Sequence, residues 1–194
     1  MRPAAAALCL VPATVGAQAA LPDFATCNDL EIARFERDLK YLRAGPEADS
    51  FEVGSTRGTD YCGTVGITRC DMSEDRVPCQ QALAAEQDAL RARVVALLPE
   101  AGEVRGRAGE DSDALYPALL AMAQDRSTGD DCAGTTLAAG ASCAAREANR
   151  RLASAILAWQ MARFLDAAPD AVTAGWARVP PPTRPRARPR ARQE

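Results

Sequence analysis

The chain has 194 residues, 23 of them basic and 26 acidic, and it contains no histidine. That absence excludes Ser-His-Asp and Cys-His nucleophilic catalysis, a histidine general base and every imidazole metal ligand. A hydrophobic fraction of 47% with only 5% aromatics predicts one all-α domain of closely packed, alanine-rich helices.

The first residues have the order of an export signal. Met1-Arg2-Pro3 gives a positive start, Ala4 to Val15 is apolar, and Ala17 and Ala19 fit the small-residue positions of a cleavage site. Residues 1–19 are therefore read as a signal peptide, 20–178 as the domain and 179–194 as a tail. The apolar run is too short for a bilayer, which needs about 20 such residues. Cys9 leaves with the signal. Six cysteines remain: Cys27, Cys62, Cys70, Cys79, Cys132 and Cys143. An even set in an exported chain predicts three disulfides, and a zinc site would need close Cys pairs that are missing here. Six cysteines allow fifteen connectivities. Cys27, Cys79 and Cys143 each fall near a predicted helix start, which favours Cys70–Cys79, Cys132–Cys143 and Cys27–Cys62.

Four to five helices are expected. The first spans about 28–43, capped by Asn28 or Asp29, with Ile32, Phe35, Leu39 and Leu42 as its apolar stripe. Residues 45–78 read as irregular because Gly54, Gly58, Gly63 and Gly66 punctuate them, with a short strand possible at Val65 and Ile67. A second long helix starts near Pro78 and ends at about Leu98, before Pro99; Leu83, Leu90, Val94 and Leu97 line it. A third covers about 112–124 with Leu115, Leu119 and Met122 inward. The last, about 142–166, carries apolar residues on so much of its circumference that it should be the central helix.

From Val179 the chain turns to proline and arginine. Residues 178–194 hold six Arg and one Glu, while 20–177 hold 16 basic and 25 acidic residues. This composition predicts a disordered, polyproline-like tail on an acidic body. Arg184, Arg186, Arg188, Arg190 and Arg192 are regularly spaced on it and could lie along an anionic surface. The plainer expectation is a solvated charge run.

Carboxylates are the catalytic groups that remain. Glycoside hydrolysis needs two, roughly 5–9.5 Å apart. Glu86 and Glu147 are the candidates, with Asp88 or Asp131 as partner, set against the ordinary solvation of acidic residues on helix faces. Asp125, Asp130 and Asp131 lack the ligand order of an EF-hand and read as a polar turn before Cys132. No phosphate-binding glycine motif is present, and no cofactor is expected.

The stretch from Cys132 to Leu152, with Ser142-Cys143-Ala144-Ala145 and Asn149-Arg150-Arg151-Leu152, resembles small exported bacterial proteins of the lysozyme-inhibitor-like family. The helix after Cys79 (Leu83, Gln87, Leu90, Val94) has a similar rhythm. The resemblance covers about a quarter of the chain. It implies a helical, disulfide-bonded periplasmic protein, some of whose relatives bind host lysozyme. The combined expectation is a periplasmic or secreted binding protein for a protein or anionic envelope component, without nucleic acid and without a membrane span. Inhibition of a cell-wall-degrading enzyme is one version of it. A carboxylate-dependent glycan hydrolase and a structural envelope protein are the alternatives.

Overall fold

A computed structural model describes residues 21–45, 54–104, 112–125, 132 and 134–181. The proposed signal segment and Arg184, Arg186, Arg188, Arg190 and Arg192 lie outside the described residues. Five helices run through the rest: α1 Phe24–Arg43, α2 Arg57–Asp71, α3 Arg76–Val95, α4 Ser112–Gln124 and α5 Leu137–Phe164. The fold is all-α, and no helix among the described residues is long and apolar enough to cross a membrane.

α1 begins four residues earlier than its stripe suggested. The Asp23 carboxylate accepts from the Thr26 backbone N–H at 2.7 Å and caps the helix. Asn28 and Asp29, expected as caps, are instead buried inside it. Ile32, Phe35 and Leu39 form its core face.

α2 is the main correction, because it occupies a stretch read as irregular. Each interior glycine costs a helix about 1 kcal/mol relative to alanine. Packing overrides this. A Cβ on Gly63 would sit 2.3 Å from the Asn149 side chain, and one on Gly66 would sit 3.0 Å from Leu83. The glycines let α2 lie close to α5 and α3. Val65 and Ile67 are helical, with Val65 buried.

α3 starts at Arg76, which puts Pro78 in the first turn, where a missing N–H costs no helical bond. Its buried face is Gln80, Leu83, Gln87, Leu90 and Val94, while Leu97 is exposed. The inward face of α4 also differs from expectation. Tyr116, Leu119, Leu120 and Ala123 are buried; Leu115 and Met122 face out. The Tyr116 hydroxyl donates to the Pro99 carbonyl at 2.7 Å.

α5 is the central helix, as its composition predicted. The Thr136 side chain caps it at the Ala139 N–H, and the helix starts at Leu137, five residues before the expected start. Alanines 145, 148, 155, 158 and 162 are fully buried beside Leu152, Ile156, Trp159 and Met161, which lets α3, α4 and α2 approach it. α1 stands further away and reaches α5 through large groups. Phe35 tilts against Trp159 with ring centroids 5.3 Å apart, and Glu36 takes a two-pronged bond from Arg163 at 3.0 and 3.1 Å.

The three disulfides are Cys27–Cys62, Cys70–Cys79 and Cys132–Cys143, the pairing the spacing favoured. They tie α1 to α2, α2 to α3, and the segment before α5 to its second turn.

Candidate functional site

After α5 the chain folds back across the molecule. Asp166 takes a left-handed φ of 58° and the Ala167 N–H returns to the Ala162 carbonyl at 2.8 Å. Arg43 of α1 completes the helix end by donating to the Arg163 carbonyl at 2.7 Å. Trp159 Nε1 then donates to the Pro169 carbonyl at 3.2 Å, and Trp176 packs edge-on against Trp159 with centroids 4.8 Å apart. Gly175 supplies the positive φ of 78° that turns Trp176 inward. Arg178 fixes the end of this segment on α1: its backbone N–H and its Nε donate to the two carboxylate oxygens of Asp29 at 3.0 and 2.7 Å.

The returning segment walls a pocket of about 270 Å³. α1 contributes Phe24, Ala25, Asn28 and Asp29; α3 contributes Glu86, Leu90 and Arg93; the segment contributes Gly175 to Arg178. Two aromatic rings, one amide, two acids and two guanidinium groups therefore meet in one place.

Its polar groups are unevenly satisfied. Asp29 is 8% exposed and holds Arg178. Asn28 is 2% exposed, and its side-chain oxygen has no hydrogen-bond partner. Trp176 is 4% exposed, and its indole N–H has none either. Leaving such a group unpaired costs about 1–3 kcal/mol. Both residues line the pocket, while the two unpaired atoms are themselves enclosed.

Glu86 stands at the exposed rim. Loss of water raises its pKa above the ordinary carboxylate value, the nearby negative charge of Asp23 adds to this, and Arg178 opposes it. Asp23 is held below the usual range by its hydrogen bonds from Thr26.

The other sequence-derived candidates part company. Glu147 is buried at 3% exposure and paired with Arg150, so it faces no cleft. Asp88, two positions from Glu86 and on another face of α3, is held by Arg151 of α5 at 3.0 Å. Glu86 thus meets Asp29 in the pocket, not Asp88. The carbonyl of Asp125 accepts from Arg91 at 2.8 Å, whereas Asp130 and Asp131 lie outside the described residues. All six body cysteines are bridged, so none is a thiolate ligand or nucleophile.

Asn28, Asp29, Trp176 and Arg178 were not read as site residues from sequence; Asn28 and Asp29 were expected as helix caps. One signal was available: Asn28 stands four residues before Ile32 and seven before Phe35, inside the apolar stripe of α1. A polar residue in a core stripe asks for a partner.

No family model, curated protein or solved structure matches the chain. Its functional reading therefore stands on its own residues.

Proposed function

We propose that this is an exported binding protein of the bacterial envelope, and that the pocket between α1, α3 and residues 175–178 is its recognition site. The observation that carries the reading is the pocket itself, walled by the Phe24 and Trp176 rings and bordered by the charged groups of Glu86, Arg93 and Arg178. Three disulfides fit an oxidising compartment, and the Met1 to Ala19 segment supplies an export signal.

The decisive experiment has two halves. Intact mass of the chain recovered from the periplasm should show loss of residues 1–19 and six oxidised cysteines. The immobilised mature chain should retain an envelope component, and Trp176→Phe should retain markedly less. Full-length, reduced protein confined to the cytoplasm would end the export reading. Equal retention by both chains would end the pocket reading.

A second reading has its own observation. Glu86, with a raised pKa, shares the pocket with the ion-paired Asp29. This is the division of labour between a proton-donating acid and a charged partner in glycan hydrolysis. A cell-wall turbidity assay separates the possibilities. Clearing by the chain alone, lost in Glu86→Gln, favours the hydrolase. Slowing of an added lysozyme favours an inhibitor, the version suggested by the family resemblance. Retention without either effect leaves simple binding.

A further inference from the structure

We infer that the groove between α2 and α5 binds a short peptide with both termini free and an apolar side chain between them, its carboxylate held by Arg146 and Asn149 and its ammonium by Asp60. The groove has a volume of about 340 Å³, shares no residue with the pocket between α1, α3 and residues 175–178, and stands independently of it.

Donors converge at one end. Arg146, Asn149 and Arg150 stand at i, i+3 and i+4 on α5 and line the groove from one side. Arg150 is held by Glu147. Arg146 is exposed, donates to the Ser142 hydroxyl at 2.9 Å and has no ion-pair partner among the described residues. Asn149 is 7% exposed. Its Oδ1 accepts from Gln87 inside the α3–α5 seam. Its Nδ2 donates to no described residue and yet, unlike Asn28 Oδ1, is not sealed from the surface. Gly63, beside it in the groove, leaves it uncovered, since a Cβ there would stand 2.5 Å from Nδ2. A guanidinium and an amide N–H₂ that share one end of a groove call for an acceptor, and a carboxylate supplies two oxygens.

The other end carries the opposite charge. Asp60 is exposed in the first turn of α2 and also lacks an ion-pair partner among the described residues. The two helices run antiparallel, because the Ser55 N–H reaches Gln160 while Gly63 lies on Asn149. Asp60 is one turn from Gly63 in one direction and Arg146 one turn from Asn149 in the other, which sets them about 9 Å apart along the groove. Two to three extended residues, at about 3.3–3.6 Å each, cover that distance. Between the charges lie Gly63 and Ile67, and the Thr64 and Thr68 hydroxyls are turned back onto the carbonyls of Asp60 and Thr64 at 3.0 and 2.9 Å. This middle stretch suits an apolar side chain. A fatty acid would leave Asp60 unanswered, and a phosphate would bring a second negative charge towards Asp60 and Glu147.

The test is calorimetric titration of the oxidised mature chain with alanyl-leucyl-alanine, its N-acetyl form and its C-terminal amide. The free tripeptide should bind saturably. Amidation should weaken it about tenfold, the worth of a charge-assisted hydrogen bond, and acetylation about threefold, the worth of an exposed ion pair. Arg146→Gln and Asp60→Asn alter exposed side chains and leave the core untouched. Arg146→Gln should weaken the free tripeptide about tenfold and leave the amide unchanged. Asp60→Asn should weaken it about threefold and leave the acetylated form unchanged. This crossed pattern assigns each terminus to its own residue. Absence of saturable binding, equal binding of all three forms, or variant effects that persist on the correspondingly blocked peptide would overturn the inference.

Discussion

Gly63 sets the distance between α2 and α5. Bare helix propensity says Gly63→Ala should stabilise by about 1 kcal/mol. The added Cβ, however, would meet Asn149 at 2.3 Å, and Asn149 Oδ1 accepts from Gln87 at 3.3 Å in the buried α3–α5 seam. Overpacking costs about 1–3 kcal/mol and the lost hydrogen bond about 1 more. We expect a net loss of roughly 2 kcal/mol, read as a lower urea midpoint with an unchanged slope; a raised midpoint would mean that α2 does not press on Asn149. Glu86 gives a pH-dependent prediction. Its pKa is raised on folding, so the folded chain binds the proton more tightly than the unfolded one. The penalty is fully present above the raised pKa and disappears below the ordinary carboxylate value. Glu86→Gln should therefore be slightly more stable at neutral pH, with an advantage that fades as pH falls through the carboxylate range. The effect is small because water screens a rim residue. A thermal-midpoint difference that grows in acid would contradict it. Neither residue's surroundings were legible beforehand. The sequence marks Gly63 as a glycine among glycines and Glu86 as one of two candidate acids, and only their neighbours distinguish them.

The helices were legible to different degrees, for physical reasons that vary from one to the next. α5 announces itself because apolar residues surround it, which only a central helix can accommodate. α4 is correctly bounded, yet its inward face is displaced to Tyr116, Leu119, Leu120 and Ala123. Leu115 and Met122 satisfy the same periodicity, and nothing local says which apolar stripe meets α5. α2 was hidden because glycine lowers helix propensity, while the contacts that reverse the balance come from α5 and α3. The start of α1 was hidden by a second plausible cap. Asn28 and Asp29 have capping chemistry, but Asp23 holds the Thr26 N–H. Replacing Asp23 with Ala should cost about 1 kcal/mol. Because the Asp23 pKa is depressed in the fold, that contribution is present above the ordinary carboxylate pKa and is lost as pH falls through the depressed one. A Tm difference between wild type and Asp23→Ala that persists in strong acid would argue against the cap. The same substitution removes a negative charge that raises Glu86, so it also lowers the Glu86 pKa.

Across the molecule, two disulfides join α1 to α2 and α2 to α3, the third is local to the start of α5, and the returning C-terminal segment ties the end of the chain back onto α1. The bridge Cys27–Cys62 spans 35 residues, against 9 and 11 for the other two. Chain-entropy arguments make it worth about 4 kcal/mol, compared with about 3 for each local bridge. Cys27 also immediately precedes Asn28, so this bridge steadies one wall of the pocket. The double variant Cys27→Ala/Cys62→Ala should lose the most stability in chemical denaturation and weaken ligand retention; Cys132→Ala/Cys143→Ala should lose less and leave retention intact. Equal effects of the two variants would deny the bridge its place beside the site. The sequence by itself determined the helical class, the set of six bridging cysteines and the central place of α5, because these follow from residue type and periodicity; it favoured the observed pairing among fifteen without fixing it. The tertiary structure alone decided that a glycine-rich stretch is a helix, which face of α4 turns inward, and that Asn28, Glu86 and Trp176 share one pocket. Those outcomes depend on contacts between residues as far apart as Asn28 and Trp176, and nothing in a local run of residues encodes which distant side chain will stand opposite.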